Sequence, residues 1–128
     1  MQNHKLWLLI AFSGFCAVAC GAFGAHGLAD KLSTHELTIW NKAVSYQFYH
    51  TLAAAMALLL PFPRKHPAVF FLLGILLFSG SLYLLACRGL LGWQAGWLGP
   101  LTPLGGLLFL SGWTALFLEI IRSRKKLS

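Results

Sequence analysis

A chain of 128 residues that is 58% hydrophobic and 10% charged, with a mean hydropathy of +0.71, holds far less charge than the roughly one quarter usual in soluble domains. Its length fits a single domain, residues 1–128, and no second domain is expected. The formal net charge of +7 does not point to nucleic acid, because the basic residues flank apolar runs and form no face interleaved with exposed aromatics.

Four uncharged runs, 6–29, 43–63, 67–87 and 89–118, each supply the roughly 20 residues needed to cross a bilayer. They imply an all-α integral membrane protein. The expected architecture is four transmembrane helices in a bundle, at about 6–26, 44–62, 67–87 and 99–121, plus a short interfacial amphipathic helix between the first two.

The first run organises the rest. Gly14, Ala17, Gly21 and Gly24 recur at helical spacing, a helix-packing stripe of the kind that lets two backbones approach closely in lipid. Lys5 and Ala17-Val18-Ala19-Cys20 loosely resemble a signal peptide with a lipoprotein cleavage site. The apolar run continues past the cysteine to Ala29, longer than a signal core, so an uncleaved span is expected. Cys16, Cys20 and Cys87 are odd in number and lie in apolar runs, which suits small buried fillers better than disulfides or zinc. No metal site and no cofactor are expected.

Beyond Ala29, Ser33-Thr34-His35-Glu36 fits a helix-capping box. Leu37, Trp40, Val44 and Phe48 then share a face opposite Glu36, Thr38, Asn41 and Lys42, the pattern of an amphipathic helix lying in the interface. No glycine or proline falls between Ala29 and Leu60, so one long helix running into the second span is the competing reading. Pro61-Phe62-Pro63-Arg64-Lys65-His66-Pro67 is a rigid turn that makes spans two and three an antiparallel hairpin. Pro67 to Cys87 is the clearest span. Gly89 to Leu98, rich in glycine, reads as a loop carrying Trp93 and Trp97 at headgroup level. The last helix follows, and the tail from Ser123 to Ser128 is expected to fray. Phe12-Ser13-Gly14, Phe78-Ser79-Gly80 and Ser111-Gly112 echo one another through shared packing chemistry.

Four spans put Lys5, Arg64, Lys65, Arg122, Arg124, Lys125 and Lys126 on one side and Lys31, Lys42 and Arg88 on the other. Seven against three places both termini in the cytoplasm of a bacterium. Depth then follows. His26, Tyr46, Gln47, His50, Ser79, Ser81, Tyr83 and Thr102 fall in the outer half of the membrane and form the candidate polar cluster. Tyr46, Gln47 and His50 share a helix face that Ala53, Ala54 and Ala57 continue. His26 and His50 are expected to face each other at similar depth. The cluster reads as interhelical packing glue, with an outward-opening pocket for a small ligand or ion, or haem or metal ligation by the two histidines, as alternatives. Glu119 is expected to pair with Arg122. Nothing fits an enzyme template, and Asp30, Glu36 and Glu119 are the only acids, so no catalytic residue is named.

Gly21-Ala22-Phe23-Gly24-Ala25-His26-Gly27, Tyr46-Gln47-Phe48-Tyr49-His50, Phe78-Ser79-Gly80-Ser81, Pro103-Leu104-Gly105-Gly106 and Gly112-Trp113 resemble, in order and spacing, the motifs of one family. It is a family of small bacterial inner-membrane proteins known as domain of unknown function 423, with a transmembrane relative in eukaryotes. The resemblance covers nearly the whole chain. It implies a multi-span inner-membrane protein of four helices and implies no reaction. The expected role is a non-catalytic structural or interaction protein, with the lipid bilayer and a second copy or another membrane protein as partners. A carrier or pore for a small solute or proton, built on the polar cluster in an oligomer, is the alternative.

Overall fold

Uninterrupted apolar sequence from Leu6 onward forms helix α1, His4–His26, in the computed structural model, which describes residues 3–61, 65–94 and 96–127. The side chains of Lys126 and Leu127, like residues 62–64 of the proline-rich turn, Arg64 included, lie outside that description. Helix α2 spans Thr34–Leu59. It starts at the capping box read from sequence: Ser33 Oγ accepts from the Glu36 N–H at 3.1 Å and Glu36 Oε2 from the Ser33 N–H at 2.8 Å.

The expected interfacial helix is not a separate element. Residues 34–59 form one helix, and its first turns stand upright in the bundle instead of lying flat. The cause is Trp40, which is buried with Leu28, Leu32 and Ala86. Its indole Nε1 donates to the Cys20 carbonyl at 2.9 Å. A tryptophan anchored to the first helix pulls the amphipathic segment against the neighbouring helices, and no glycine or proline interrupts it.

Helix α3, His66–Gly74, opens with Pro67 in its first turn, where the missing N–H costs nothing. It passes into a π-helical turn at Ile75–Ser79 and then α4, Gly80–Ala86. The Gly80 N–H reaches back to the Ile75 carbonyl, five residues away. The three pieces make one run of 21 residues, His66–Ala86. The expected loop after it contains a one-turn helix α5, Arg88–Leu91, ended by Gly92 in the left-handed conformation, and a 3-10 turn at Gly96–Leu98. Helix α6, Leu101–Leu127, takes in most of the tail expected to fray.

The described residues contain helices and turns only. His4–His26, His66–Ala86 and Gly96–Lys125 are long and apolar enough to cross a membrane. Large apolar side chains such as Phe12, Phe15, Leu76 and Leu107 stay exposed on them, as a lipid-facing surface requires. Helix α2 falls outside that set because Lys42, Gln47, His50 and Thr51 lower its apolar content. Helices α1 and α2 run antiparallel, with Gly24 against Trp40 and Gly14 against Thr51, and so do the run His66–Ala86 and α6, with Gly74 against Phe109 and Gly112 against Phe71. The main core joins Ile10, Ala53, Ala54, Ala57, Ala68, Phe71, Ile75, Phe109 and Leu116.

Candidate functional site

Three separate polar groupings stand where the sequence pattern suggests one. The first lies between α1, α2 and α4. Gln47 is buried, and its amide nitrogen donates to the Ser13 carbonyl at 3.0 Å and toward Ser13 Oγ at 3.4 Å. Its amide oxygen accepts from the Tyr83 hydroxyl at 2.7 Å. Thr51 donates to the Gln47 carbonyl at 2.6 Å. That uses its one proton, so the 2.7 Å contact between Ser13 Oγ and Thr51 Oγ1 is donated by Ser13. One glutamine thereby ties three helices together. Ser79, fully buried, donates to the Ala43 carbonyl at 2.8 Å.

The second grouping lies between α2, α3 and α6 and is aromatic. His50 stacks on Phe109 with ring centroids 3.6 Å apart and planes 9° from parallel. Trp113 Nε1 donates to His50 Nε2 at 3.2 Å. An indole only donates, so Nε2 is the acceptor, and Nδ1 carries the proton that goes to the Tyr46 carbonyl at 2.8 Å. The neutral imidazole fills both bonds. Tyr46, partly exposed, stacks on Phe78 at 4.6 Å. The third grouping is a single pair: Ser81 Oγ donates to the Phe78 carbonyl at 3.0 Å and accepts from Thr102 Oγ1 at 2.6 Å.

His26 belongs to none of them. It is exposed in the last turn of α1, where a basic group suits the helix dipole. Contacts between the two helices fix their register: a Cβ on Gly24 would meet Trp40, one on Gly21 would meet Val44, and one on Gly14 would meet Thr51. On that register His50 lies level with Phe15, so His26 and His50 are separated by roughly 16 Å along the axis. The expected histidine pair is therefore wrong. It assumed that the second helix enters the membrane at Val44, whereas α2 rises from Thr34. His50 also turns toward α6, away from α1. Glu119 is buried and forms no ion pair with Arg122 among the described residues, since it continues the inward face of Gly112 and Leu116.

The stripe on α1 lies along α2. Ala17 is fully buried, and a Cβ on Gly24 would stand 2.5 Å from Trp40 Nε1. Sequence reasoning missed Ser13, Thr51, Phe109 and Trp113. Ser13 was findable, because it shares the inward spacing of Ile10, Ala17 and Gly24. Nothing in the local pattern of α6 marks Trp113 as the partner of His50. At the far end of the bundle, burial first and the Glu36 carboxylate second push the Cys87 thiol above its ordinary range.

Residues 20–106 match the model of a family described as "Protein of unknown function (DUF423)". The chain is 40% identical over 125 residues to a UPF0382 membrane protein of Staphylococcus epidermidis, covering 92% of this chain and 97% of the relative. It is 42% identical over 119 residues to a UPF0382 membrane protein of Staphylococcus saprophyticus, with 88% and 93% covered. It is 37% identical over 132 residues to the UPF0382 inner membrane protein YgdD of Escherichia coli, with 98% and 96% covered. No solved structure matches it.

Proposed function

The chain belongs to the DUF423 family, and from that premise we propose that it is a four-crossing protein of the bacterial inner membrane with a non-catalytic, structural or interaction role. The observation that carries the role is closure of the polar groupings. Among the described residues, every fully buried side-chain nitrogen or oxygen has a hydrogen-bond partner within the chain. None of those buried atoms is left directed at a substrate, which is how interhelical glue behaves. Purified protein in liposomes should leave proton and small-solute flux at the protein-free level. A flux that Gln47→Leu abolishes would replace this reading with the carrier reading.

The fourth crossing is α2. At 26 residues it is about 39 Å long, enough to span. It packs along two helices that are apolar enough to cross, so it shares their depth. Its buried polar side chains are matched inside the bundle, and exposed Lys42 reaches outward along its aliphatic stem. Lys5, Lys65, Arg122, Arg124 and Lys125 lie at one end of the antiparallel bundle and Lys31 and Arg88 at the other, which favours cytoplasmic termini. An alkaline phosphatase fusion should be inactive at the C-terminus and active after Lys31. The reverse pattern would invert the topology, and activity at both points would remove one crossing.

A further inference from the structure

The bend between α4 and α6 carries a feature that the structural role does not use. A wide-open surface depression of about 550 Å³ is lined by Arg88, Gly89, Gly92, Trp93, Gln94 and Gly96. Gly92, at φ +66°, takes a left-handed turn that is cheap only for glycine. That turn folds Trp93 and Gln94 back toward Arg88, whose carbonyl accepts from the Trp93 N–H at 3.1 Å. Three donor-bearing side chains, a guanidinium, an indole and an amide, thus border one space. None of the three has a hydrogen bond or ion pair elsewhere among the described residues. No acidic side chain is among the described residues that line it. The Glu36 carboxylate abuts the lining from the α2 side: its Oε2 accepts from the Ser33 N–H at 2.8 Å, and its Oε1 would stand 3.1 Å from a Cβ on Gly89.

Position narrows what this space receives. The run His66–Ala86 is about 31 Å long, the thickness of the hydrocarbon, so Arg88 emerges in the headgroup layer. Leu90, Leu91, Trp93 and Trp97 are exposed around it, an apolar rim that would be out of place facing bulk water. Tryptophan favours that layer. Arginine matches phosphate oxygens with paired N–H bonds. We propose that this depression seats the headgroup of an anionic phospholipid, with the phosphate on Arg88, Trp93 and Gln94 and the acyl chains against Leu90 and Leu91. A zwitterionic headgroup fits less well, because Arg88, the charged residue among those that line the space, repels its ammonium. The proposal needs only the end of α4 at the membrane surface and holds whether or not α2 crosses.

The test uses the full chain in mild detergent, with native mass spectrometry of bound phosphatidylglycerol against phosphatidylcholine. Wild type should retain phosphatidylglycerol selectively, and Arg88→Gln should lower that retention about tenfold, the loss of one charge-assisted contact, with an unchanged melting temperature. Equal retention of both lipids by wild type, or undiminished selectivity in Arg88→Gln, overturns the proposal. Inorganic phosphate that displaces the lipid at millimolar concentration would show a free-anion site and overturn the lipid assignment. Should Arg88→Gln fail to accumulate, the double variant Trp93→Phe, Gln94→Leu decides, because it removes two donors and keeps the ring. Undiminished selectivity there overturns the proposal equally.

Discussion

Along the seam between α1 and α2, small residues sit beside hydrogen bonds. Ala17 and Gly21 bring the backbones together, and Ser13, Gln47 and Thr51 then bond across the gap. Along the seam between α3 and α6, glycines instead receive aromatic rings. A Cβ on Gly74 would run into Phe109, and one on Gly112 would stand 2.6 Å from Phe71 Cε1. Helices inside lipid have no apolar driving force toward one another, so they associate by close packing and by interhelical bonds. This molecule uses the two means on opposite sides. Between Gly14 and Gly21 the polar seam tolerates small changes in shape but not in bonding, and the aromatic seam the reverse; at Gly24, where the Trp40 ring enters, the first seam is as tight as the second.

The hardest blow to the aromatic seam is a side chain at Gly105, where a Cβ would overlap the backbone of Phe78. Backbone cannot swing aside as a ring can. Gly105→Leu should cost about 3 kcal/mol or more and be seen as loss of accumulation or collapse of the melting transition in detergent. A stable variant would mean that the two helices are farther apart. On the polar seam, Gln47→Leu keeps volume but strands the Tyr83 hydroxyl and Ser13, at about 1–3 kcal/mol. Tyr83→Phe added to Gln47→Leu should then cost less than it does alone. Full additivity in that cycle would dissolve the network.

A smaller effect is expected at His50, where the two means meet. His50→Phe keeps the stack on Phe109 and loses the bonds to Trp113 and Tyr46, which should cost about 1 kcal/mol by chemical unfolding. His50→Ala loses both and should cost more. Equal losses in the two variants would mean that the stack contributes nothing. The smallest change is Gly21→Ala, whose Cβ would meet Val44 at 3.4 Å, an ordinary contact. Its stability should stay within about 0.5 kcal/mol of the parent, while Gly24→Ala, against the Trp40 indole, should fall well below.

Period and punctuation in the sequence are enough to read the helices and the capping box at Ser33 and Glu36. They also place Gln47, His50, Ala53, Ala54 and Ala57 on one face, all of them buried. Register between helices is not readable in the same way, because periodicity says which face turns inward and nothing about what lies opposite. That gap produced the mistaken pairing of His26 with His50 and hid Trp113. The π-helical turn is equally silent: Ile75 to Ser79 carries no glycine or proline to announce it. It coincides with Phe78 leaning on Gly105 and Ser79 reaching the Ala43 carbonyl, contacts made only once three helices have met. Trp40 misled for a related reason. On a lone helix it extends an amphipathic face, and only the groove at Gly24 turns it into a bundle anchor.

If the polar groupings are closed within the bundle, they line no aqueous path. Single cysteines at Ser13, Thr51, Ser79 and Thr102, in a chain with Cys16, Cys20 and Cys87 replaced by alanine, test this through their reaction with a charged, membrane-impermeant thiol reagent. The expected result is no modification at Ser13, Thr51 and Ser79 from either side until the protein is unfolded, with only Thr102, in the first turn of α6, open to slow reaction. Rapid modification of all four positions from one side would contradict it.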